Sequence, residues 1–129
     1  MGYRLLTMKW ITRSFVREHR DRIFLFGDNL ARSGFGGQAA AMRGEPNVVG
    51  IPTKKLPSNG EGAFSTDAEF EQNKAAIDTA FELLAALSST TDRVVVIPAD
   101  GIGTGRAQLE SQAPFTFAYL QKRLKDLSL

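Results

Sequence analysis

The chain has 129 residues, 43% of them hydrophobic and 23% charged, with a formal net charge of +2. Such a make-up predicts one globular domain over residues 1–129, able to bury about two-thirds of its unfolded surface, and excludes disorder and wholesale binding of a nucleic-acid backbone by charge. The chain has no cysteine and one histidine, His19 in a charged stretch, which excludes disulfides, thiol chemistry, a Ser-His-Asp triad and a multi-histidine metal centre.

In chain order, the N-terminus lacks the apolar core of a signal peptide, and Met1-Gly2 is followed by Leu6 where a myristoylation signal needs Ser or Thr. No apolar run approaches the ~20 residues that span a bilayer, so a cytoplasmic protein without membrane partners is expected. Thr12 to Arg20 predicts a short helix, with Phe15 and Val16 among charged neighbours. Arg22 to Phe26 is a short apolar run ending at Gly27, the pattern of a strand buried on both faces. A glycine-rich segment follows, and then Gln38 to Arg43 favours helix until Gly44 and Pro46 stop it. Asn47 to Ile51 predicts a second strand, closed by Pro52, and Thr53 to Ser65 a long polar loop.

Asp67 to Leu87 is the clearest helix: Thr66 and Glu69 make a capping-box pair, and Phe70, Ile77, Phe81, Leu84 and Leu87 recur at helical spacing. Arg93 to Pro98 is a continuous β-branched strand. A second glycine-rich turn, Ala99 to Gly105, leads to a closing helix marked by Phe117, Leu120, Leu124 and Leu127, with Pro114 near its first turn. This alternation predicts an α/β domain with a mainly parallel central sheet.

In a parallel sheet the strand-to-helix turns share the carboxyl edge, so Gly27–Gly37 and Gly101–Gly105 are expected on one side of the molecule, where such sheets bind ligands. Glycines let backbone N–H groups approach an anion. Either loop alone is explained by tight turning; two at one edge point to a cradle for a phosphate or diphosphate. No Walker string occurs, and counting from Gly101 the sixth position of a dinucleotide fingerprint is Arg106 in place of Gly. Each loop opens on an acid, Asp28 and Asp100. A carboxylate repels phosphate but accepts from hydroxyls, so Asp28, Asn29 and Asp100 together with glycine backbone fit a sugar-containing diphosphate. The same aspartates also suit Asx caps of turns. Phe35, between loop glycines, either covers a ribose or packs inward.

The blocks F-G-D-N-L-A-R-S-G-F-G-G-Q-A-A-A, V-G-I-P-T-K-K and V-V-I-P-A-D-G-I-G-T-G resemble macro-domain-like proteins of bacteria and phages and, more remotely, the macro domains that bind ADP-ribose. The resemblance covers about Ile23 to Leu120. It implies a compact three-layer α/β/α sandwich and an ADP-ribose-type ligand. One ligand loop is then Gly27, Asp28, Asn29, Gly36, Gly37 and Gln38, and the diphosphate loop is Asp100, Gly101, Ile102, Gly103, Thr104 and Gly105. One branch with a similar I-x-T-K-K block removes ADP-ribose from proteins, attacking the sugar with a lysine assisted by an aspartate. It implies Lys54 as nucleophile with Asp100, or Glu110, as partner, because the branch's own aspartate position falls at Arg106-Ala107. Lys54 and Lys55 otherwise form an exposed loop pair. The expected partner is an ADP-ribose-like small molecule or an ADP-ribosylated macromolecule; nucleic acid and cofactors are not expected. The alternatives are an ADP-ribosyl glycohydrolase and a protein-interaction module without a nucleotide ligand.

Overall fold

The computed structural model describes residues 2–90 and 94–127. Its strands are β1 (Arg4–Met8), β2 (Arg22–Asn29), β3 (Val48–Lys54) and β4 (Val94–Pro98). They form one sheet in the order β1-β4-β2-β3, with every neighbouring pair parallel. The helices among the described residues are α1 (Arg13–Glu18), α2 (Ala39–Met42), α3 (Phe70–Leu87), α4 (Leu109–Gln112) and α5 (Pro114–Lys125). The chain is thus an α/β domain on a parallel sheet.

Alternation along the strands divides the core. Ile23 and Leu25 of β2 join Val95 of β4 against Ile77, Phe81 and Leu84 of α3 and Leu120 of α5. Phe24 and Phe26 turn the other way, to Val16 of α1 and Ala39 and Met42 of α2. Both faces of the sheet are therefore covered by helices, which is why its central strands read as unbroken apolar runs.

The predicted helix at 67–87 begins as a 3₁₀ turn, Asp67–Glu69, and continues as α3. Its capping box forms: the Glu69 carboxylate accepts from the Thr66 N–H at 3.3 Å and the Thr66 hydroxyl at 3.0 Å. Asp67 caps a different helix. Its carboxylate accepts from the Phe115 and Thr116 N–H groups at 2.9 and 3.1 Å and from the Thr116 hydroxyl at 3.0 Å, at the start of α5. Burial pushes this carboxyl up, yet the three donors together hold it below its ordinary value. Pro114 takes the first helical position of α5.

Several boundaries differ from the sequence expectation. Strand β1 is additional. Its sequence R-L-L-T-M sits half-exposed at the sheet edge, so it lacks the continuous apolar signal of an interior strand. Strand β2 runs on through Asp28 and Asn29. Pro52 does not close β3, which continues to Lys54: β3 is the other edge, where a missing N–H need not break a ladder. The helix predicted over Thr12 to Arg20 is limited to α1, with Thr12 as its N-cap accepting from Phe15 N–H at 3.1 Å. Arg93 of the predicted strand lies outside the described residues. No helix among the described residues is long and apolar enough to cross a membrane.

One ionic cluster ties α1 to the α2–β3 connection. The Glu45 side chain is only 6% exposed and accepts from Arg13 at 2.6 Å, Arg20 at 2.9 Å and Arg17 at 3.0 Å. Arg13 also donates to the carbonyls of Ala40 and Arg43 at the end of α2. The Arg13 hydrogen bond pulls the Glu45 carboxyl from its ordinary 4.5 down to about 2, helped by Arg20 and Arg17 and opposed by burial. A carboxyl whose pKa falls on folding stabilises fully above its unfolded value, and the contribution disappears as pH drops through the folded one. The stability gap between wild type and Glu45→Gln is therefore expected to be constant near neutrality, to narrow below about pH 5 and to close near pH 2. Urea melts of both proteins across that range check it; a gap that persists unchanged at pH 2 would contradict the assignment.

Candidate functional site

The site originates in the topology. Strands β2 and β4 pair only from Arg22–Val94 to Phe24–Val96. Beyond that point β2 follows β3 to Asn29, and β4 follows β1 to Pro98. The two strands part, and their chains leave for opposite faces, β2 toward α2 and β4 toward α4 and α5. This is the switch point of an open parallel sheet, where a crevice opens at the carboxyl ends. A cleft of about 290 Å³ lies there.

Gln38 spans the gap where the ladder has ended. Its side-chain oxygen accepts from the Gly27 N–H at 2.8 Å, and its Nε2 donates to the Gly101 carbonyl at 2.9 Å, so one amide joins the two glycine loops. Among the predicted ligand residues, all but Ile102 line the cleft. Ile102 is fully buried and anchors the second loop in the core beside Leu109.

Asp28 is not a bare carboxylate in this cleft. Its side chain is 3% exposed and accepts from Arg43 at 2.5 Å, Arg32 at 3.0 Å and the Asn29 N–H at 2.8 Å. The repulsion expected between Asp28 and a phosphate is thus cancelled by two guanidinium groups. Arg43 also donates to the carbonyls of Gly34 at 2.6 Å and Ser33 at 3.1 Å, so it shapes the first loop as well as neutralising Asp28. The Asn29 amide donates to the Ser33 carbonyl at 2.9 Å, closing the same turn. Room for the carboxylate comes from Gly50 on β3: a Cβ there would stand 2.5 Å from Asp28 Oδ2.

In the second loop the Thr104 hydroxyl donates to the Asp100 carbonyl at 2.6 Å, and Asp100 itself is exposed at the cleft. Gly101 and Gly103 hold φ of +88° and +85°, a region that favours glycine. Gly103 also comes close to the first loop, its nitrogen 3.6 Å from where a Cβ on Gly27 would lie.

Lys54 and Asp100 both line the cleft, whereas Glu110 stands on α4 outside its wall. Lys54 and Lys55 are not an exposed pair. Lys54 is buried at the end of β3, its Nζ donating to the Ser58 carbonyl at 2.7 Å and Asn59 Oδ1 at 3.1 Å and lying 4.9 Å from the centre of the Phe64 ring. Lys55 turns away to Glu69 at 3.0 Å. Phe35 does not pack inward: it is 65% exposed, between cleft-lining Gly34 and Gly36.

Arg43 is the charged cleft residue that sequence reasoning missed. It falls within the alanine-rich segment predicted as helix and carries no motif. The signal that identifies it is the buried Asp28, which demands a cationic partner.

No curated protein matches this chain, and neither does any solved structure. A family model matches residues 6–123, and by that match the chain belongs to a family of unknown function, DUF7831.

Proposed function

We propose that the cleft binds ADP-ribose or a related ribose-diphosphate nucleotide, and that the domain is a compact, cytoplasmic, macro-domain-like α/β/α sandwich. What carries the proposal is that both glycine loops line one cleft whose only deeply buried carboxylate, Asp28, is already neutralised by Arg32 and Arg43. In this reading Gly101, Gly103 and Gly105 let backbone approach the diphosphate, with Arg43 in the lining of the same cleft. Gly36 and Gly37 border the ribose, and exposed Asp100 accepts from its hydroxyls.

Calorimetric titration with ADP-ribose, with AMP and ribose 5-phosphate as controls, tests this. Micromolar binding is expected, and Gly37→Glu should abolish it. Gly37 lines the cleft and a Cβ built there meets nothing within 4 Å beyond its chain neighbours, so the substitution adds a carboxylate at the cleft without crowding the core, at a backbone cost of about 1 kcal/mol for its φ of +57°. Absence of heat from a folded protein would reject the nucleotide and leave the loops as an interaction module.

A hydrolytic reading draws on Lys54 and Asp100 lining the same cleft. Lys54 Nζ would attack the anomeric carbon as the bond from that carbon to the modified side chain breaks. Asp100 would take the proton shed by the amine and pass it to the departing side chain, and water would then cleave the sugar–lysine adduct to free ADP-ribose and restore the lysine. An amine that donates to Ser58 and Asn59 must first leave them to present a lone pair to the sugar. Binding is therefore the reading preferred. Release of ADP-ribose from a modified protein by wild type, lost in both Lys54→Met and Asp100→Asn with binding intact, would reverse that preference.

A further inference from the structure

We infer that Trp10 is the platform on which the nucleobase of the ligand stacks, outside the cleft that takes the ribose-diphosphate; this rests on the nucleotide reading above. The cleft's volume of about 290 Å³ falls just below the roughly 300–1,000 Å³ usual for ligand sites. It takes the polar part of a dinucleotide-sized ligand and leaves a planar base at its rim. The base then needs an apolar surface reachable from the second glycine loop.

Trp10 supplies one. Strand β1 is in register with β4, Met8 opposite Pro98, and the Ala99 N–H donates to the Met8 carbonyl at 2.8 Å. Trp10 stands two residues beyond the end of β1, and Asp100 two residues beyond the end of β4. Trp10 is thus at most about 7 Å of backbone past Met8, on the edge where the second loop begins. The next residue, Ile11, packs against the cluster that includes Val16, Ala39 and Met42, so the segment lies on the sheet face that α1 and α2 cover; Gln38, which bridges the two loops, immediately precedes α2. The Trp10 residue is 81% exposed although it has the largest apolar ring in the chain. The Lys9 ammonium stands over the ring, 5.5 Å from its centre, and the high exposure of the residue keeps the indole accessible. An accessible indole stacks any nucleobase, and the neighbouring ammonium favours a phosphorylated one.

Trp10 is the sole tryptophan, so intrinsic fluorescence reports on it alone. Titration of the full chain with ADP-ribose is expected to quench that fluorescence in parallel with the calorimetric isotherm, whereas ribose 5-phosphate leaves it unchanged. Trp10→Ala should weaken ADP-ribose and AMP by about five- to one-hundred-fold, the usual range for losing one stacked base, and leave ribose 5-phosphate unaffected. Trp10→Phe should restore most of the affinity. Circular dichroism of each variant checks the fold, which an exposed side chain does not support. If calorimetry shows ADP-ribose bound to wild type while the fluorescence stays constant and Trp10→Ala binds equally well, or if Phe35→Ala carries the loss in its place, the platform is overturned and the nucleotide reading stands. If wild type takes up no nucleotide, both are overturned.

Discussion

Arg43→Met is expected to lower the stability of the fold by about 3 kcal/mol and to abolish ligand binding together. The Asp28 carboxylate is 3% exposed, and Arg43 is its shorter and better buried ion-pair partner, at 2.5 Å with 15% side-chain exposure. Removing one member of a buried pair leaves the other charged and unsolvated, which costs about 3–5 kcal/mol. The remaining pair to Arg32, whose side chain is 45% exposed, puts the expected loss at the lower end. For the same reason Arg32→Met should cost only about 1 kcal/mol. Urea denaturation measures each. Adding Asp28→Asn to Arg43→Met should recover part of the loss, because it removes the stranded charge while keeping the shape. Binding should not recover, since Arg43 also holds the Ser33 and Gly34 carbonyls in the first loop. Equal midpoints for wild type and Arg43→Met would show that Asp28 does not depend on this partner.

The parts of this molecule legible in the sequence are those whose physics is local. Strand β2 announced itself through Arg22 to Phe26 because a strand covered on both faces has no polar alternation, and α3 through the Thr66–Glu69 box, both ends of which lie within four residues. The two glycine loops were legible for the same reason, since positive φ at Gly37, Gly101, Gly103 and Gly105 is a demand each position makes on its own residue. What escaped depends on contacts far apart in the chain. The Gln38 side chain, held to Gly27, reaches Gly101 63 residues further along the chain, which no spacing rule reveals. Asp28 looked available to a ligand because Arg43, 15 residues on, carries no motif that pairs it with an acid. Gly50 is a glycine without a turn. It has no positive φ, and its reason is the Asp28 carboxylate packed across the neighbouring strand. Pro52 misled because its ordinary meaning, the end of a strand, does not hold on an edge.

The glycines of the cleft are not equivalent, and Gly103→Ala is expected to be the most damaging single-methyl change among them, at about 3 kcal/mol. Its φ of +85° costs an L-residue about 1–2 kcal/mol. Its Cβ would also lie 3.0 Å from Leu109 Cδ2, 3.3 Å from Leu109 Cβ and 3.4 Å from Thr53 Cγ2. Leu109 is fully buried and Thr53 nearly so, so neither yields without disturbing the core, and overpacking adds about 1–3 kcal/mol. The loop must then retreat toward Gly27, narrowing the cleft and straining the Gln38 bridge. Gly105→Ala and Gly37→Ala provide the contrast. Both have φ near +57° and nothing within 4 Å of the added methyl, so only the backbone cost of about 1 kcal/mol remains. Chemical denaturation of the three variants should rank Gly103→Ala well below the other two, and ADP-ribose titration should show binding lost in Gly103→Ala at temperatures where it is still folded. Three equal midpoints would mean that the second loop is free to shift as a unit. Binding across the switch point would then rest on the Gln38 bridge more than on the packing of Gly103 against Leu109.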